Sequence, residues 1–358
     1  MARPAKHWLR TALVRLTTPR RPRKAGDAGW LTGRFPSTPR AGLLRRQREF
    51  FLYVPAQLTA RERVPLMVML HGCSQDAHTF AEGTRMNELA DSQRFIVLYP
   101  QQSRGANPLG CWNWFHRDVE QGGGEARTIA TLVRSVTRRY PVDRSRVYLA
   151  GMSAGGAMTA VMAFRHGALF AACAIVAGVM YRGADSAVGA AQTMRSGARR
   201  SPEAVAEEAV DGASPDLGFV PALVIHGEND SVVNPRNAKQ IVQQFLRFAE
   251  LVSAPAGPLD PTVERLITDR GRTYRQRDYR RNDEVVLRAV LIDGLGHAWS
   301  GGDERHQFND GRPPDATALI WDFVSQFRRP APDRWPVTRF WAKQVGRWRR
   351  VRKAPLRL

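Results

Sequence analysis

The chain has 358 residues, of which 43% are hydrophobic, and a formal net charge of +21. It has no apolar run long enough to span a bilayer and no internal repeat, which excludes a membrane-spanning helix and a repeat array. The charge is confined to the ends: residues 1–50 carry 13 Lys/Arg and 2 Asp/Glu, residues 328–358 carry 11 Lys/Arg and 1 Asp, and residues 51–327 carry 30 of each sign. Because the central body is neutral, a catalytic activity there does not require an anionic substrate.

Both ends of the chain have the composition of basic extensions. Residues 1–48 predict a flexible basic arm, in which 8–16 have the spacing of a short amphipathic helix and 17–39 are typical of a linker. Residues 328–358 predict a basic-aromatic tail; its run at 339–353 is suited to binding a granule, a membrane surface or nucleic acid, or to remaining solvated. The absence of a convincing secretory signal suggests a cytoplasmic location.

Residues 49–327 alternate between short apolar runs and segments with helical spacing. Continuous apolar runs are typical of strands that are buried on both faces of a parallel sheet. Residues 184–218 and 251–282 have weak patterns, and we interpret them as insertions, the first with a helix at 202–210. The body therefore predicts an α/β fold with a mainly parallel sheet and helices on both faces. The strands are predicted over 49–54, 65–70, 95–99, 147–150, 171–176, 222–226 and 285–292, and the helices over 79–93, 125–140, 237–248 and 317–327.

The segment Gly151-Met152-Ser153-Ala154-Gly155 follows a predicted strand and precedes a run of small residues compatible with a helix. Gly-x-Ser-x-Gly in this context is typical of the nucleophile elbow of α/β-hydrolases, where a tight turn needs neighbours with almost no side chain. The sequence therefore predicts Ser153 as a nucleophile and the backbone N–H of Ala154 as an oxyanion donor. The alternative is a glycine-rich turn without a catalytic role.

A serine nucleophile needs a histidine base, and three histidines lie after Ser153 near strand ends or in late loops. His226 falls inside a predicted strand and is interpreted as a packed residue, whereas His306 lies in a polar loop without a strand leading into it. His297 directly follows a strand and has small neighbours that leave its ring free to reach inward. We therefore expect His297 to be the base, with a structural histidine as the alternative.

The acid of an α/β-hydrolase lies between the serine and the histidine in chain order. Asp230 follows the strand predicted at 222–226 and has the position from which a carboxylate reaches a histidine Nδ1. Glu228 is its nearest rival, and Asp293 is too close in sequence to His297. A purely local role for Asp230, in a turn or as a helix cap, is the alternative.

The second oxyanion donor is expected in the loop after an early strand. His71-Gly72-Cys73 occupies that place, and the backbone N–H of Cys73 would pair with that of Ala154.

Of the three cysteines, Cys173 lies in an apolar run, while Cys73 and Cys111 both fall in loops where they could pair. No Cys-x-x-Cys or Cys/His cluster suggests a metal site.

Taken together, these motifs resemble the poly(3-hydroxybutyrate) depolymerase family of esterases over residues 49–327. The resemblance implies a serine esterase that uses Ser153, Asp230 and His297 without a metal or an organic cofactor and acts on short-chain polyhydroxyalkanoates. Feruloyl and acetylxylan esterases belong to the same wider group and are the alternative substrate classes. The motifs are His71-Gly72-Cys73-Ser74-Gln75, Tyr99-Pro100-Gln101, Cys111-Trp112-Asn113-Trp114-Phe115, Gly151-Met152-Ser153-Ala154-Gly155-Gly156-Ala157-Met158 and Gly296-His297-Ala298-Trp299-Ser300-Gly301-Gly302.

The resemblance carries further expectations. Trp112, Trp114 and Trp299 would flank the substrate cleft, with a role as core anchors as the alternative. The resemblance also places the loops that carry Cys73 and Cys111 beside the site. A disulfide between them would hold the loop with the oxyanion donor against the loop with the aromatic cluster. Members of the family are commonly secreted, so an extracellular location is the alternative to a cytoplasmic one. The rival from another functional class is a protein that binds anionic surfaces or nucleic acid through its basic ends and carries an inactive hydrolase body.

Overall fold

A computed structural model describes residues 30–36, 47–59, 62–211, 218–252, 263–281 and 284–329. The amphipathic helix expected at 8–16 and the basic-aromatic run expected at 339–353 lie outside these residues. Within the described ranges, no helix is long and apolar enough to cross a membrane.

Strands and helices alternate along the described chain. The strands are β1 Trp30–Pro36, β2 Gln47–Tyr53, β3 Val64–Leu70, β4 Ile96–Pro100, β5 Val142–Met152, β6 Ala172–Val176, β7 Ala222–Gly227, β8 Val263–Asp269, β9 Arg272–Arg281, β10 Glu284–Ile292, β11 Trp299–Ser300 and β12 Asn309–Asp310. The helices are α1 Ala77–Thr84, α2 Met86–Gln93, α3 Arg117–Glu120, α4 Gly124–Arg139, α5 Ala154–His166, α6 Ala187–Ser196, α7 Pro202–Asp211, α8 Arg236–Val252 and α9 Ala316–Val324.

A ten-stranded sheet in the order β1-β2-β4-β3-β5-β6-β7-β10-β9-β8 forms the centre of the molecule. The strands from β4 to β10 in this order pair in parallel, while β1 and β2 at one edge and β9 and β8 at the other pair antiparallel. The carboxyl ends of the parallel strands all point to one side of the molecule. Loops that follow these strands are therefore brought together at that side.

Alternate residues of the central strands enter two separate hydrophobic cores. On β3, Leu66 and Val68 pack in the core that contains residues of α4, α5 and α8, whereas Met67 and Met69 pack with residues of α1, α2 and α9. Both faces of the sheet are thus covered by helices, which explains why the strands read as continuous apolar runs. The fold is that of an α/β-hydrolase, as expected from the sequence.

The structure corrects the sequence-based boundaries at two places near the N-terminal end. Residues 30–36 pair along their whole length with β2, so the linker expected over 17–39 is wrong for Trp30–Pro36. The helix expected over 79–93 is two helices, because Arg85 has a left-handed conformation (φ 54°) that interrupts the helical backbone. The first helix also begins earlier, after a capping box at Asp76.

The region 251–282, interpreted as an insertion, contains two strands of the main sheet. Its strand β9 alternates inward and outward residues, but of the four buried side chains only Tyr274 belongs to the hydrophobic core; the other three are the polar residues Arg272, Gln276 and Asp278. They are paired: Arg288 holds Asp278 through bonds of 2.7 and 3.0 Å, and Arg272 Nη2 lies 3.1 Å from Asp310 Oδ2. A search for alternating apolar residues does not detect such a strand.

Candidate active site

Ser153 lies on a sharp turn between β5 and α5, above the carboxyl ends of the central strands. Its backbone has φ 57° and ψ −120°, a conformation that non-glycine residues rarely adopt. Two backbone hydrogen bonds maintain the turn: Ser153 N–H donates to the Val176 carbonyl (2.9 Å), and Ala157 N–H donates to the Ser153 carbonyl (2.9 Å). The strained serine of a nucleophile elbow is therefore present where the motif predicts it.

The two glycines of the motif are required by close contacts between backbones. A Cβ on Gly151 would lie 2.3 Å from the Gly155 carbonyl oxygen, and a Cβ on Gly155 would lie 2.0 Å from the Leu70 carbonyl oxygen. Both distances are far below van der Waals contact, and backbone atoms cannot move aside as a side chain can. The Gly-x-Ser-x-Gly pattern is thus a consequence of how tightly α5 approaches β5 and β3.

Asp230 and His297 form a hydrogen-bonded pair beyond the ends of β7 and β10. His297 Nδ1 lies 2.7 Å from Asp230 Oδ2, although 67 positions separate the two residues in the chain. The loops that carry them are joined by backbone bonds, since Asn229 N–H donates to the Leu295 carbonyl (3.0 Å). This arrangement orients the imidazole and leaves its Nε2 as the atom available for proton transfer.

The carboxylate of Asp230 is wholly buried, with 0% of its side chain exposed. Its Oδ1 accepts the backbone N–H groups of Val232 (2.9 Å) and Val233 (2.8 Å). Burial alone would raise the pKa of Asp230, but the hydrogen bonds from His226 and His297, the charge of His297 and the Val233 N–H outweigh it and lower the pKa below its ordinary range. Asp230 is therefore ionised at neutral pH, and His297 Nδ1 carries the proton of their shared bond.

His226 is closer to this pair than its place inside a strand suggests. Its Nε2 donates to the Val233 carbonyl (2.7 Å) and lies 3.4 Å from Asp230 Oδ2, and its side chain is fully buried. The prediction of a packed histidine is correct as to burial, but it misses this polar contact with the acid. The signal was present in the sequence, because His226 and Asp230 are only four positions apart, across the tight turn that ends the strand.

The rejected candidates for base and acid lie elsewhere. His306 Nε2 is 3.4 Å from Glu82 Oε2, in a loop contact away from Asp230. Glu228 is exposed and lies 3.5 Å from Arg275 Nη1. Of the three histidines weighed as the base, His226 and His297 both lie beside the buried carboxylate of Asp230, but only the Nδ1 of His297 approaches it to 2.7 Å within the part of the chain that the structure describes.

The loop after β3 lies against the serine. A Cβ on Gly72 would be 3.3 Å from Ser153 Cβ, which places the His71-Gly72-Cys73 segment beside Ser153. Neither the Cys73 N–H nor the Ala154 N–H donates a hydrogen bond to another described residue. Both groups are thus available to a bound anion, as a pair of oxyanion donors must be.

Cys73 and Cys111 form a disulfide, as the resemblance implied, while Cys173 is free and buried. The bond ties the loop after β3 to the loop that carries the aromatic cluster. Two more contacts join these loops: Ser74 N–H donates to the Leu109 carbonyl (2.8 Å), and Trp112 Nε1 donates to the His71 carbonyl (3.0 Å). The backbone beside Ser153 is therefore anchored from one side along several residues.

The three tryptophans expected on the cleft wall are buried in the cores. Trp112, Trp114 and Trp299 are 3%, 4% and 1% exposed, respectively. Trp299 Nε1 donates to Thr317 Oγ1 (3.0 Å) and its ring packs edge-on against Phe80. Such burial is what the alternative, a role as core anchors, predicts. Trp112 also contacts His71, through the bond to its carbonyl and through packing of the two rings.

Comparison with known proteins adds to this geometry. A family model described as Esterase PHB depolymerase matches residues 48–259, more than half of the chain. The chain belongs to this family. It is 33% identical over 252 residues to poly(3-hydroxyalkanoate) depolymerase C of Paucimonas lemoignei, a match that covers 70% of this chain and 58% of that protein. The chain thus spans little more than half the length of that relative.

Other members of the same wider group also match. The chain is 30% identical over 259 residues to feruloyl esterase B of Thermothelomyces thermophilus, covering 70% of this chain and 83% of that protein. It is 30% identical over 278 residues to acetylxylan esterase A of Aspergillus oryzae, covering 72% of this chain and 85% of that protein. The solved structure of an acetyl xylan esterase from Aspergillus awamori superposes with a TM-score of 0.58 at 23% identity, over 70% of this chain and 89% of that one, which supports the α/β-hydrolase fold.

Proposed function

We propose that the protein is a serine carboxylic-ester hydrolase with Ser153 as nucleophile, His297 as general base and Asp230 as the acid that orients it. The observation that carries this proposal is the 2.7 Å bond between His297 Nδ1 and the buried, ionised carboxylate of Asp230. Ser153, on its strained turn with φ 57°, supplies the hydroxyl group on which this pair would act. Membership of an esterase family supports the reaction class.

The reaction proceeds in two steps of acyl transfer. His297 Nε2 takes the proton of Ser153 Oγ as that oxygen attacks the ester carbonyl, and the backbone N–H groups of Cys73 and Ala154 bind the oxyanion that develops. The protonated His297 then gives its proton to the departing alcohol, which leaves an acyl-enzyme. Water, deprotonated by His297, attacks the acyl carbonyl and releases the acid and the free serine.

The buried carboxylate of Asp230 matters because His297 becomes a cation in each step. The negative carboxylate beside Nδ1 stabilises the imidazolium. In the neutral ring it keeps the proton on Nδ1, so that Nε2 remains basic. The two backbone N–H bonds to Asp230 Oδ1 leave Oδ2 directed at His297. No proton needs to move onto Asp230 itself.

For the substrate, we propose a short-chain polyhydroxyalkanoate, with poly(3-hydroxybutyrate) as the representative polymer. The match to the depolymerase of Paucimonas lemoignei supports this choice. Feruloyl or acetylated-xylan esters are the second candidate, supported by relatives that the chain covers more completely, over 83% and 85% of their length. The neutral body of the chain suits either class, because none of these substrates is a polyanion.

The reaction is tested with purified protein and p-nitrophenyl butyrate. Ser153→Ala should abolish hydrolysis while the variant keeps the wild-type melting temperature; retained activity would refute the nucleophile. The substrate is tested with the wild type on poly(3-hydroxybutyrate) granules, 3-hydroxybutyrate oligomers, methyl ferulate and acetylated xylan. A clear preference in kcat/KM for ferulate or acetylated xylan over the oligomers would overturn the polyester assignment and support the second candidate.

We also propose that residues 1–29 and 330–358 attach the catalytic body to an anionic or granule surface, because these two segments together carry 17 Lys/Arg and only 2 Asp. A version of the chain that spans residues 30–329 keeps β1 and should hydrolyse soluble esters as the full chain does. Its binding to granules, to anionic lipid vesicles and to duplex DNA should be lost. Unchanged binding would assign the surface contact to the body, and lost esterase activity with intact folding would show that the ends serve catalysis.

A further inference from the structure

His71 is completely buried between the end of β3 and the segment after β4, and both of its ring nitrogens have backbone partners. The Gln102 N–H donates to Nε2 over 3.1 Å, so Nε2 must carry a lone pair. A neutral imidazole with Nε2 as acceptor has its proton on Nδ1. Nδ1 lies 2.9 Å from the Gly72 carbonyl oxygen and therefore donates to it.

Burial lowers the pKa of His71 to about 4, so the ring is neutral at physiological pH. It therefore cannot serve as a cation. Besides its two backbone partners, its Nε2 lies 3.5 Å from Gln101 Nε2 and its ring packs against Trp112, and none of these contacts is with Ser153, Asp230 or His297. The structural effect of His71 is therefore on the backbone of the loop after β3, to which its Nδ1 is bonded.

The Gly72 carbonyl and the Cys73 N–H belong to one planar peptide unit and point in opposite directions. A donor that holds the carbonyl on one side therefore fixes the direction of the N–H on the other. The preceding peptide unit is held as well: the His71 carbonyl accepts from Trp112 Nε1 (3.0 Å), and the Gly72 N–H donates to Gln75 Oε1 (2.8 Å).

Such control is needed at this position because residue 72 is glycine. A larger residue would meet Gln75 Oε1 at 2.9 Å and Ser153 Cβ at 3.3 Å, so only glycine fits here without displacing a neighbour. Glycine also gives the adjacent peptide planes more freedom to rotate than any other residue does. A rotation of the Gly72–Cys73 plane would turn the Cys73 N–H away from the oxyanion and direct a carbonyl oxygen towards it.

We propose that His71 is a positioning residue of the oxyanion hole: its Nδ1–H holds the Gly72 carbonyl and thereby keeps the Cys73 N–H directed at the reacting ester carbonyl. This inference rests on the proposed function, because it presupposes that Cys73 N–H stabilises an oxyanion beside Ser153. It assigns the histidine of the His71-Gly72-Cys73 motif a part in transition-state stabilisation without contact to the substrate.

Two substitutions separate this role from simple filling of the core. Asparagine at 71 places an amide nitrogen near the position of Nδ1, where it can still donate to the Gly72 carbonyl. Glutamine places its terminal amide near the position of Nε2, where it can meet the Gln102 N–H but not the Gly72 carbonyl. His71→Gln should lower kcat on p-nitrophenyl butyrate by about 10²-fold, the size of one lost oxyanion donor, with KM little changed. His71→Asn should stay within about tenfold of the wild type.

A matched control is available at the other end of α5. His166 is a half-buried histidine whose Nε2 contacts a backbone carbonyl, that of Gly122, at 3.0 Å. His166→Gln makes the same chemical change about 18 Å of helix away from Ser153 and should leave kcat unchanged. Equal losses in His71→Gln and His71→Asn, or a wild-type kcat in His71→Gln, would overturn the inference. Retained hydrolysis by Ser153→Ala would instead refute the proposed function.

A measurement on the wild-type protein covers the case in which the His71 variants do not fold. With ¹⁵N-labelled histidine, the His71 ring should give the spectrum of the neutral Nδ1–H tautomer at pH 7, and this state should persist when a butaneboronic acid adduct is formed on Ser153. The Cys73 amide proton should shift downfield in that adduct. A Nε2–H tautomer, or an unchanged Cys73 amide in an adduct that has formed, would refute the positioning role.

Discussion

His226 and Asp230 contact each other through fully buried side chains, with His226 Nε2 3.4 Å from Asp230 Oδ2. The same carboxylate oxygen accepts the 2.7 Å bond from His297. The acid is therefore approached by two imidazoles and two backbone N–H groups, in a pocket where water does not compete. Although burial opposes it, these contacts lower the pKa of Asp230, so the carboxylate is charged at neutral pH, which is the form that the proposed mechanism requires.

Replacement of Asp230 by asparagine tests this assignment. The amide keeps the shape of the side chain but removes the charge and disfavours the His297 tautomer with a proton on Nδ1. We expect kcat on p-nitrophenyl butyrate to fall by up to about 10⁴-fold, with a smaller change in KM. Glu228→Gln is the matched control, since it makes the same change at an exposed carboxylate in the same turn and should retain wild-type kcat. If Glu228→Gln were the inactive variant, the acid would be misassigned.

The lowered pKa of Asp230 also predicts how stability depends on pH. A carboxyl group with a pKa lower in the folded than in the unfolded state binds fewer protons when folded. Its stabilising contribution is therefore complete above its ordinary value of 3.8 and is lost as the pH falls towards the folded pKa. Between about pH 4 and 2, we expect the melting temperature of the wild type to fall more steeply than that of Asp230→Asn. Parallel slopes would show that the Asp230 pKa is not lowered.

The elbow glycines give a prediction about folding rather than chemistry. Gly155→Ala would bring a Cβ to 2.0 Å from the Leu70 carbonyl oxygen and must displace α5 or β3. We expect a loss of stability of at least about 2 kcal/mol, within the range known for overpacked cores, together with loss of activity. Gly218→Ala is the control, because a Cβ there meets no atom within 4 Å. Chemical denaturation of both variants makes the comparison, and a Gly155→Ala protein as stable as Gly218→Ala would contradict the packing argument.

Much of the site could be predicted from the sequence because its parts are local motifs at the ends of apolar strands. The order Ser153, Asp230, His297 and the rule that parallel strands end on one side suffice to bring distant residues together. The alternation of β9 could not be recognised in the same way. Three of its four inward residues are polar, and the charged ones are paired, as in Asp278 with Arg288, so Tyr274 alone does not make an alternating apolar pattern.

Contacts that depend on the direction of a side chain could not be predicted from the sequence either. From the resemblance, Trp112, Trp114 and Trp299 were expected to flank the cleft, with core anchors as the alternative. The sequence could not decide between the two, because a loop residue has no periodicity that assigns its side chain to a face. The bond from His71 to the Gly72 carbonyl depends on which ring nitrogen of His71 carries the proton. Its other bond depends on Gln102, which lies 31 positions further along the chain. Packing between loops, rather than any pattern along the chain, decides both cases.

The disulfide between Cys73 and Cys111 connects the oxyanion loop to the aromatic loop, and its reduction should therefore affect catalysis. A displacement of the Cys73 N–H by about 1 Å can cost up to about 10²-fold in rate. We expect dithiothreitol, or the substitution Cys111→Ser, to lower kcat with little effect on KM and to lower stability by about 2–4 kcal/mol. Cys173→Ser is the control, because that thiol is free and buried. Dithiothreitol should have no further effect on Cys111→Ser, and reduced wild type with an unchanged kcat would show that the hydrogen bonds of Ser74 and Trp112 are sufficient to hold the loop.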